Sequence, residues 1–207
     1  MILINDIDLR KYNVNKIRSC FDAYFQNSLN FGFSIRDNIA LSRSYKDIDK
    51  DIIKAINVVN GDDILKKASN GLNTYLTRMF DDNGMEISGG EHQKIALART
   101  FFRNNSVVIL DEPSSALDPK AENNVFEAIK KISENKMVIF TSHRLTNIFL
   151  ADKIVVLEGG IIIESGTKDE LLKIKAVFLS YTNIKLINLE INICIVQKVS
   201  YCLFWRR

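Results

Sequence analysis

Val107–Asp118 reads VVILDEPSSALD. Four apolar residues run without a break and stop at two adjacent carboxylates, Asp111 and Glu112. An uninterrupted aliphatic run of this length is the mark of a parallel strand buried on both faces. Pro113 keeps the strand from continuing. The segment that follows, AENNVFEAIKKISEN, places Val125, Ile129 and Ile132 at helical spacing. A second buried strand, MVIF (137–140), comes next. Strand, amphipathic helix, strand is the pattern of a parallel α/β sheet.

The same alternation extends outward in both directions. Upstream, SGGEHQKIALARTFFRN places Ile95, Leu97, Ala98 and Phe101 on a helical face. Downstream, KIVVLEGGIIIESG reads as strand, Gly-Gly turn, strand, and KDELLKI as a short helix. The opening ILI is a short strand entering a turn at Asn5-Asp6. Residues about 19–25 alternate around Phe21, Ala23 and Phe25 as a further strand. Ile52, Ile53, Ile56 and Val59 recur at helix spacing, followed by a loop, GLNTYLTRMFDDNGMEI. The fold class expected is therefore α/β, a mainly parallel sheet with an inserted helical subdomain at about 35–87.

Length and composition agree with that expectation. The chain has 207 residues, 46% apolar and 26% charged, which excludes disorder, collagen and a disulfide scaffold. No stretch approaches about 18 consecutive apolar residues, so no membrane-spanning helix is expected. The net charge of +3 gives no reason to expect nucleic acid. Three cysteines without metal-ligand spacing fit a reducing compartment. MILINDIDLR carries no leader pattern. The last 22 residues, LINLEINICIVQKVSYCLFWRR, alternate like a strand through Leu189, Ile191, Ile193 and Ile195, but no turn chemistry joins them to the domain.

Several residues can carry chemistry. In open α/β sheets ligands bind beyond the carboxyl ends of the strands. There Asp111 and Glu112 could divide the work, one holding a divalent cation and the other polarising a water. A plain polar turn is the alternative. Ser88-x-x-Glu91 is a capping box, an ordinary helix start. It does not explain Gly89 and Gly90 in the first turn, where each glycine costs about 1 kcal/mol relative to alanine. Bare glycines at a capped helix N-terminus expose N–H groups at the positive dipole end, an arrangement suited to phosphate. His143 follows MVIF closely and should share a sheet edge with Asp111 and Glu112. His92, early in its helix, should face solvent. Gln26 closes AYFQ.

In order, AYFQ, ISGGEHQKIALARTFF, VVILDEP, SALD and TSHRL resemble the ATP-binding-cassette (ABC) ATPases, over roughly residues 1–183. ISGGE is similar to the signature motif, VVILDE to Walker B with its following glutamate, and Ser115-Ala116-Leu117-Asp118 to the D-loop. FSIRDNIALS and LADKIVVLEGGIIIESGTKDELL look most like the exporter branch. The resemblance implies a P-loop NTPase-like fold, ATP and Mg2+ as cofactors, and roles for residues. Asp111 and Gln26 would attend the magnesium. Glu112 would be the general base and His143 would contact the γ-phosphate. Ser88, Gly89, Gly90 and Glu91 would touch the ATP of a second cassette. It further implies two partners, a second ABC ATPase domain and a membrane-spanning transporter domain, and a place in the cytoplasm or at the cytoplasmic face of a membrane.

One family element has no counterpart. No G-x-x-x-x-G-K-[ST] phosphate loop occurs in the 207 residues, and no glycine precedes Gly32. Gly160-x5-Gly166-Thr167-Lys168 has the wrong length and order. Losing even four charge-assisted hydrogen bonds, at about 1.5–3 kcal/mol each, would remove most of a micromolar affinity of ~8 kcal/mol. The expectation is a gene fragment, with residues 1–183 a partial ATPase domain and 184–207 an atypical tail. Such a chain would bind ATP poorly at its own site and leave sheet edges exposed. Two alternatives stand beside an exporter ATPase domain. One is a non-catalytic partner that donates its signature motif in trans. The other is a DNA-repair ABC ATPase, kept open by Glu91 but opposed by the absence of heptads between Gln26 and Ser88.

Overall fold

The computed structural model describes residues 3–4, 7–26, 28–41, 47–114, 117, 119–142, 151–158, 160–173 and 192–197. The chain divides into two compact units. One comprises Met1–Asp22, Asn105–Glu112 and Lys130–Arg207, and the other Ala23–Asn104 and Pro113–Ile129.

The first unit is built on a sheet. Its strands are β3 (Phe21–Tyr24, whose second half belongs to the other unit), β4 (Val107–Leu110), β5 (Met137–Ser142), β6 (Lys153–Glu158), β7 (Ile161–Gly166) and β8 (Asn192–Gln197). Their order across the sheet is β3-β4-β5-β8-β6-β7. β4 and β5 pair in parallel, with Leu110 opposite Phe140. In β4, Val107, Val108 and Leu110 are buried, as expected for a strand covered on both faces, whereas burial in β5 alternates: Val138, Phe140 and Ser142 are buried, and Met137, Ile139 and Thr141 are half-buried. β6 and β7 form the expected antiparallel hairpin, with a register shift between Val156 and Leu157 and Gly160 at φ +79° in the turn. Positive φ there is open to glycine without steric cost. Ahead of the sheet stand a small antiparallel pair, β1 (Leu3–Ile4) and β2 (Ile7–Asp8), and a short helix α1 (Val14–Arg18) capped by Asn13.

Two features differ from the sequence expectation. The period-two pattern around β3 is present, but the buried phase is the other one. Asp22 and Tyr24 are buried, Ala23 is exposed and Phe25 is 64% exposed. The physical reason at Asp22 is a polar partner: its carboxylate accepts from the Asn105 backbone N–H at 3.2 Å and from Asn105 Nδ2 at 3.0 Å. A charge so satisfied can be interior. The second difference concerns β8. Asn192–Gln197 is not separate from the sheet but lies within it, antiparallel to β5 on one side and to β6 on the other.

The second unit is helical: α2 (Ile35–Ala40), α3 (Asp49–Val58), α4 (Asp62–Lys67), α5 (Gly89–Phe102) and most of α6 (Pro119–Ser133). α5 packs against α2 and α3. Ile35, Ile39, Ile52, Ile56, Ile64, Ile95 and Leu97 are fully buried in this unit. Full burial of each such side chain contributes about 1.5–3 kcal/mol. Ser34 caps α2 by accepting from the Asp37 N–H at 3.1 Å. Among the described residues no helix is long and apolar enough to cross a membrane. α7 (Lys168–Lys173) returns to the first unit, opened by Thr167 and Glu170 bonding reciprocally.

Candidate functional site

The two carboxylates stand where β4 ends. Asp111 and Glu112 are half-buried immediately beyond Leu110. They are joined by a residue from the neighbouring strand. Thr141 Oγ1 accepts from the Glu112 backbone N–H at 3.0 Å and donates to Asp111 Oδ1 at 2.8 Å. One hydroxyl thereby fixes the backbone of one acid and the carboxylate of the other. Asp111 Oδ2 accepts no protein hydrogen bond among the described residues. Glu112 takes a left-handed backbone, φ +46°. For a residue with a Cβ that conformation costs roughly 1–2 kcal/mol. Strain of this kind persists where surrounding contacts over-determine it, and the Thr141 bond is one such contact.

Among the described residues no group of three or more His, Cys, Asp or Glu could hold a metal. Two adjacent carboxylates nonetheless suit magnesium, which keeps several waters and takes one or two carboxylates plus phosphate oxygens.

The start of α5 is built from nearby residues. Ser88 Oγ accepts from the Glu91 N–H at 3.3 Å and donates to Glu91 Oε2 at 2.9 Å, while the Ser88 N–H donates to Glu91 Oε2 at 2.8 Å. The expected capping box is therefore present. Glu91 is also paired with Lys67 of α4, Nζ to Oε1 at 2.5 Å. Burial raises the Glu91 carboxyl, but the Lys67 bond and the two Ser88 bonds outweigh it and hold the group below its usual value. Lys67, bonded to Glu91, is held above its own. The Glu91 carboxylate lies favourably at the positive helix end, and Lys67 balances its charge.

Among the described residues, Gly89 and Gly90 have no steric cause. Neither takes a positive φ. A Cβ on Gly89 would meet nothing within 4 Å, and one on Gly90 would only touch Leu117 Cδ2 at 3.6 Å. Leu117 itself is buried.

Gln26 is exposed, two residues beyond the end of β3. The chain after it is tied to α5. Arg99 donates to Leu29 O at 3.0 Å, Asn30 Oδ1 at 3.0 Å and Asn38 O at 2.7 Å. His92 is exposed, as expected, with Asn30 Nδ2 2.8 Å from its Nδ1 and 2.8 Å from its carbonyl oxygen. His143, Ser115, Ala116 and Asp118 lie outside the described residues.

Four side chains that hold these groups escaped the sequence reading: Thr141, Lys67, Gln93 and Arg99. Gln93 is buried and donates through Nε2 to the Pro113 carbonyl, with Oε1 unpartnered among the described residues. A hydroxyl residue directly after the buried run MVIF was the available signal for Thr141. Lys67 lies 24 positions before its partner, and no local pattern announces it.

Comparison with known proteins finds relatives over most of the chain. The profile of the ABC transporter family matches residues 1–115. The subtilin transport ATP-binding protein SpaT of Bacillus subtilis is 39% identical over 177 residues, covering 83% of this chain and 28% of SpaT. The ATP-dependent lipid A-core flippase of Escherichia coli K12 is 35% identical over 177 residues, covering 86% of this chain and 30% of the flippase. Among solved structures, a bacterial Atm1-family ABC exporter with ATP bound is similar with a TM-score of 0.77 and 26% identity, over 87% of this chain and 31% of that one. The chain thus spans under a third of the length of these relatives. On the profile match, the two relatives and the shared fold, this chain belongs to the ABC transporter family, to whose ATP-binding ATPase part it corresponds.

Proposed function

We propose that the chain acts as the ATP-binding and ATP-hydrolysing part of an exporter, coupled to transport across a membrane. The observation that carries this is the bonded group at the end of β4: Asp111 and Glu112, held by Thr141, with Glu112 in a left-handed backbone. Asp111, one oxygen of which is fixed by Thr141, would hold a divalent cation, and the family resemblance assigns Gln26 to magnesium as well. Magnesium, when bound, would neutralise phosphate charge. Glu112 takes the proton of the attacking water, which general-base catalysis makes about 10²–10⁴-fold faster. His143 would contact the γ-phosphate.

A second reading concerns the α5 N-terminus. Gly89 leaves open space where a Cβ would stand, which suits donation of Ser88, Gly89 and Gly90 to ATP held by a second cassette. A membrane-spanning domain would be the other partner, with the chain at the cytoplasmic face. Phe31 and Phe33, 42% and 55% exposed, stack with centroids 6.1 Å apart. The ring of Phe80, 67% exposed, lies against Gly32 between them. An exposed aromatic cluster of this kind suits a protein partner.

Two measurements test these readings. Hydrolysis of Mg-ATP by the chain should fall about 10²–10⁴-fold on Glu112→Gln. Equal rates in the two chains overturn the general-base reading. Mixed with an intact exporter cassette and Mg-ATP, the chain should co-elute as a heterodimer, and Ser88→Arg should abolish co-elution. Equal behaviour of the two chains, bound or unbound, overturns donation in trans.

A further inference from the structure

The sheet of the first unit is continuous only through β8. β5 and β6 do not pair with each other; each pairs with β8 instead. Val138 to Ser142 lie opposite Gln197 to Ile193, and Lys153 to Leu157 lie opposite Val196 to Asn192. Both neighbours run antiparallel to β8, so they run parallel to each other with a gap of one strand. Without β8 the sheet separates into β3-β4-β5 and β6-β7. Each new edge would then carry a row of unpaired backbone N–H and C=O groups. Those edges include fully buried residues, Phe140, Ile154 and Val156. Unpaired backbone groups at that depth are costly.

The strand that closes the gap suits the place. Asn192–Gln197, NICIVQ, carries no charge and holds a continuous apolar run, the pattern of a strand covered on both faces. It reaches the sheet from sequence positions well beyond α7, with residues 174–191 between. No short turn therefore sets its register. It is attached through two ladders, one on each side, which is the manner of strand addition to a sheet.

We propose that the gap between β5 and β6 is a strand-binding site, and that Asn192–Gln197 is a donor strand filling it in cis. The ligand class is an uncharged extended peptide, taken up by main-chain hydrogen bonds on both sides. The atypical end of the chain thereby gains a role: it completes the sheet whose β4 and β5 ends carry Asp111, Glu112 and Thr141. This inference concerns only the first unit and does not depend on the proposed catalytic roles.

Two experiments on the full chain test it. In the first, Cys20 and Cys202 are changed to Ser and Val155→Cys is introduced, because Val155 lies opposite the natural Cys194. Mild oxidation at low protein concentration should give an intrachain crosslink between positions 155 and 194, seen by peptide mass spectrometry. No crosslink, or one only between two molecules, overturns occupation in cis. In the second, Ile195→Pro removes a ladder N–H. Amide exchange in 138–142 and 153–157 should accelerate about tenfold or more, while α3 and α5 exchange as before. A peptide of residues 191–197, which has no charged side chain, should then restore protection in both segments saturably, and a scrambled peptide should not. Unchanged exchange in the variant, or no restoration by the peptide, overturns the proposal. If Ile195→Pro prevents folding altogether, the crosslink and the peptide's effect on a milder variant, Ile195→Gly, decide it by the same outcomes.

Discussion

The end of β4 and the start of α5 break the same local rule in opposite directions. At Glu112 a residue with a side chain occupies a backbone conformation that suits glycine. At Gly89 and Gly90 two glycines occupy a helical backbone that suits alanine, with room for a Cβ at each. Local preferences agree with the fold over most of a protein and fail mainly where function asks for something else. The two places also differ in how they are assembled. The α5 start is made chiefly by Ser88 and Glu91, three residues apart. The β4 end depends on Thr141, about thirty residues on, brought alongside by the parallel β4–β5 pairing.

The difference in assembly predicts a difference in fragility. The largest effect should come at Thr141. Thr141→Val leaves the Glu112 N–H and an Asp111 oxygen without their shared partner, a loss of about 1–3 kcal/mol. Urea unfolding would read it, and Thr141→Ser should recover most of it. Equal stability of Val and Thr at this position would show that the hydroxyl holds nothing. Next comes the cap of α5. Ser88→Ala should cost about 1 kcal/mol, with Ser88→Thr, which keeps the hydroxyl, close to the natural chain.

The reversed preferences give a paired test. At position 112, Glu112→Gly should be about 1 kcal/mol more stable than Glu112→Ala, because only the alanine retains the left-handed penalty. At position 89 the order inverts: Gly89→Ala should be more stable than the natural chain by up to about 1 kcal/mol. If alanine also wins at 112, the strain assigned to Glu112 is wrong.

The smallest effect is electrostatic. The Glu91 carboxyl is held below its usual value in the folded chain, so its contribution is full above the unfolded carboxyl pKa of about 4.3. That contribution is lost as pH falls through the folded value. Lys67, held above its ordinary value, contributes fully below about 10.4 and loses this as pH rises through its folded value. Lys67→Met should flatten the acid limb of stability measured between pH 7 and pH 3. Because Lys67 is largely solvent-exposed, the change should be small and should shrink further in salt.

Much of this was legible in the residues. VVIL and MVIF announce β4 and β5, Ser88-x-x-Glu91 announces the start of α5, and KIVVLEGGIIIESG announces a hairpin. These signals are periodicities and short capping or turn patterns, which act over a few residues. β3 shows where such signals stop. Its alternation was visible, but the choice of buried phase was not, because the interior Asp22 takes hydrogen bonds from Asn105, 83 positions away.

What the sequence alone determined is the set of elements and the family motifs that lie on them, since strand and helix periods and turn residues are local properties. What the tertiary structure decided is partnership. Thr141 came to hold both acids, Lys67 came to neutralise Glu91, and Asn192–Gln197 came to lie between β5 and β6. Each of these joins segments far apart in the chain. No local pattern encodes such a pairing, because it follows from satisfying backbone groups and charges that only the folded sheet and helices bring together.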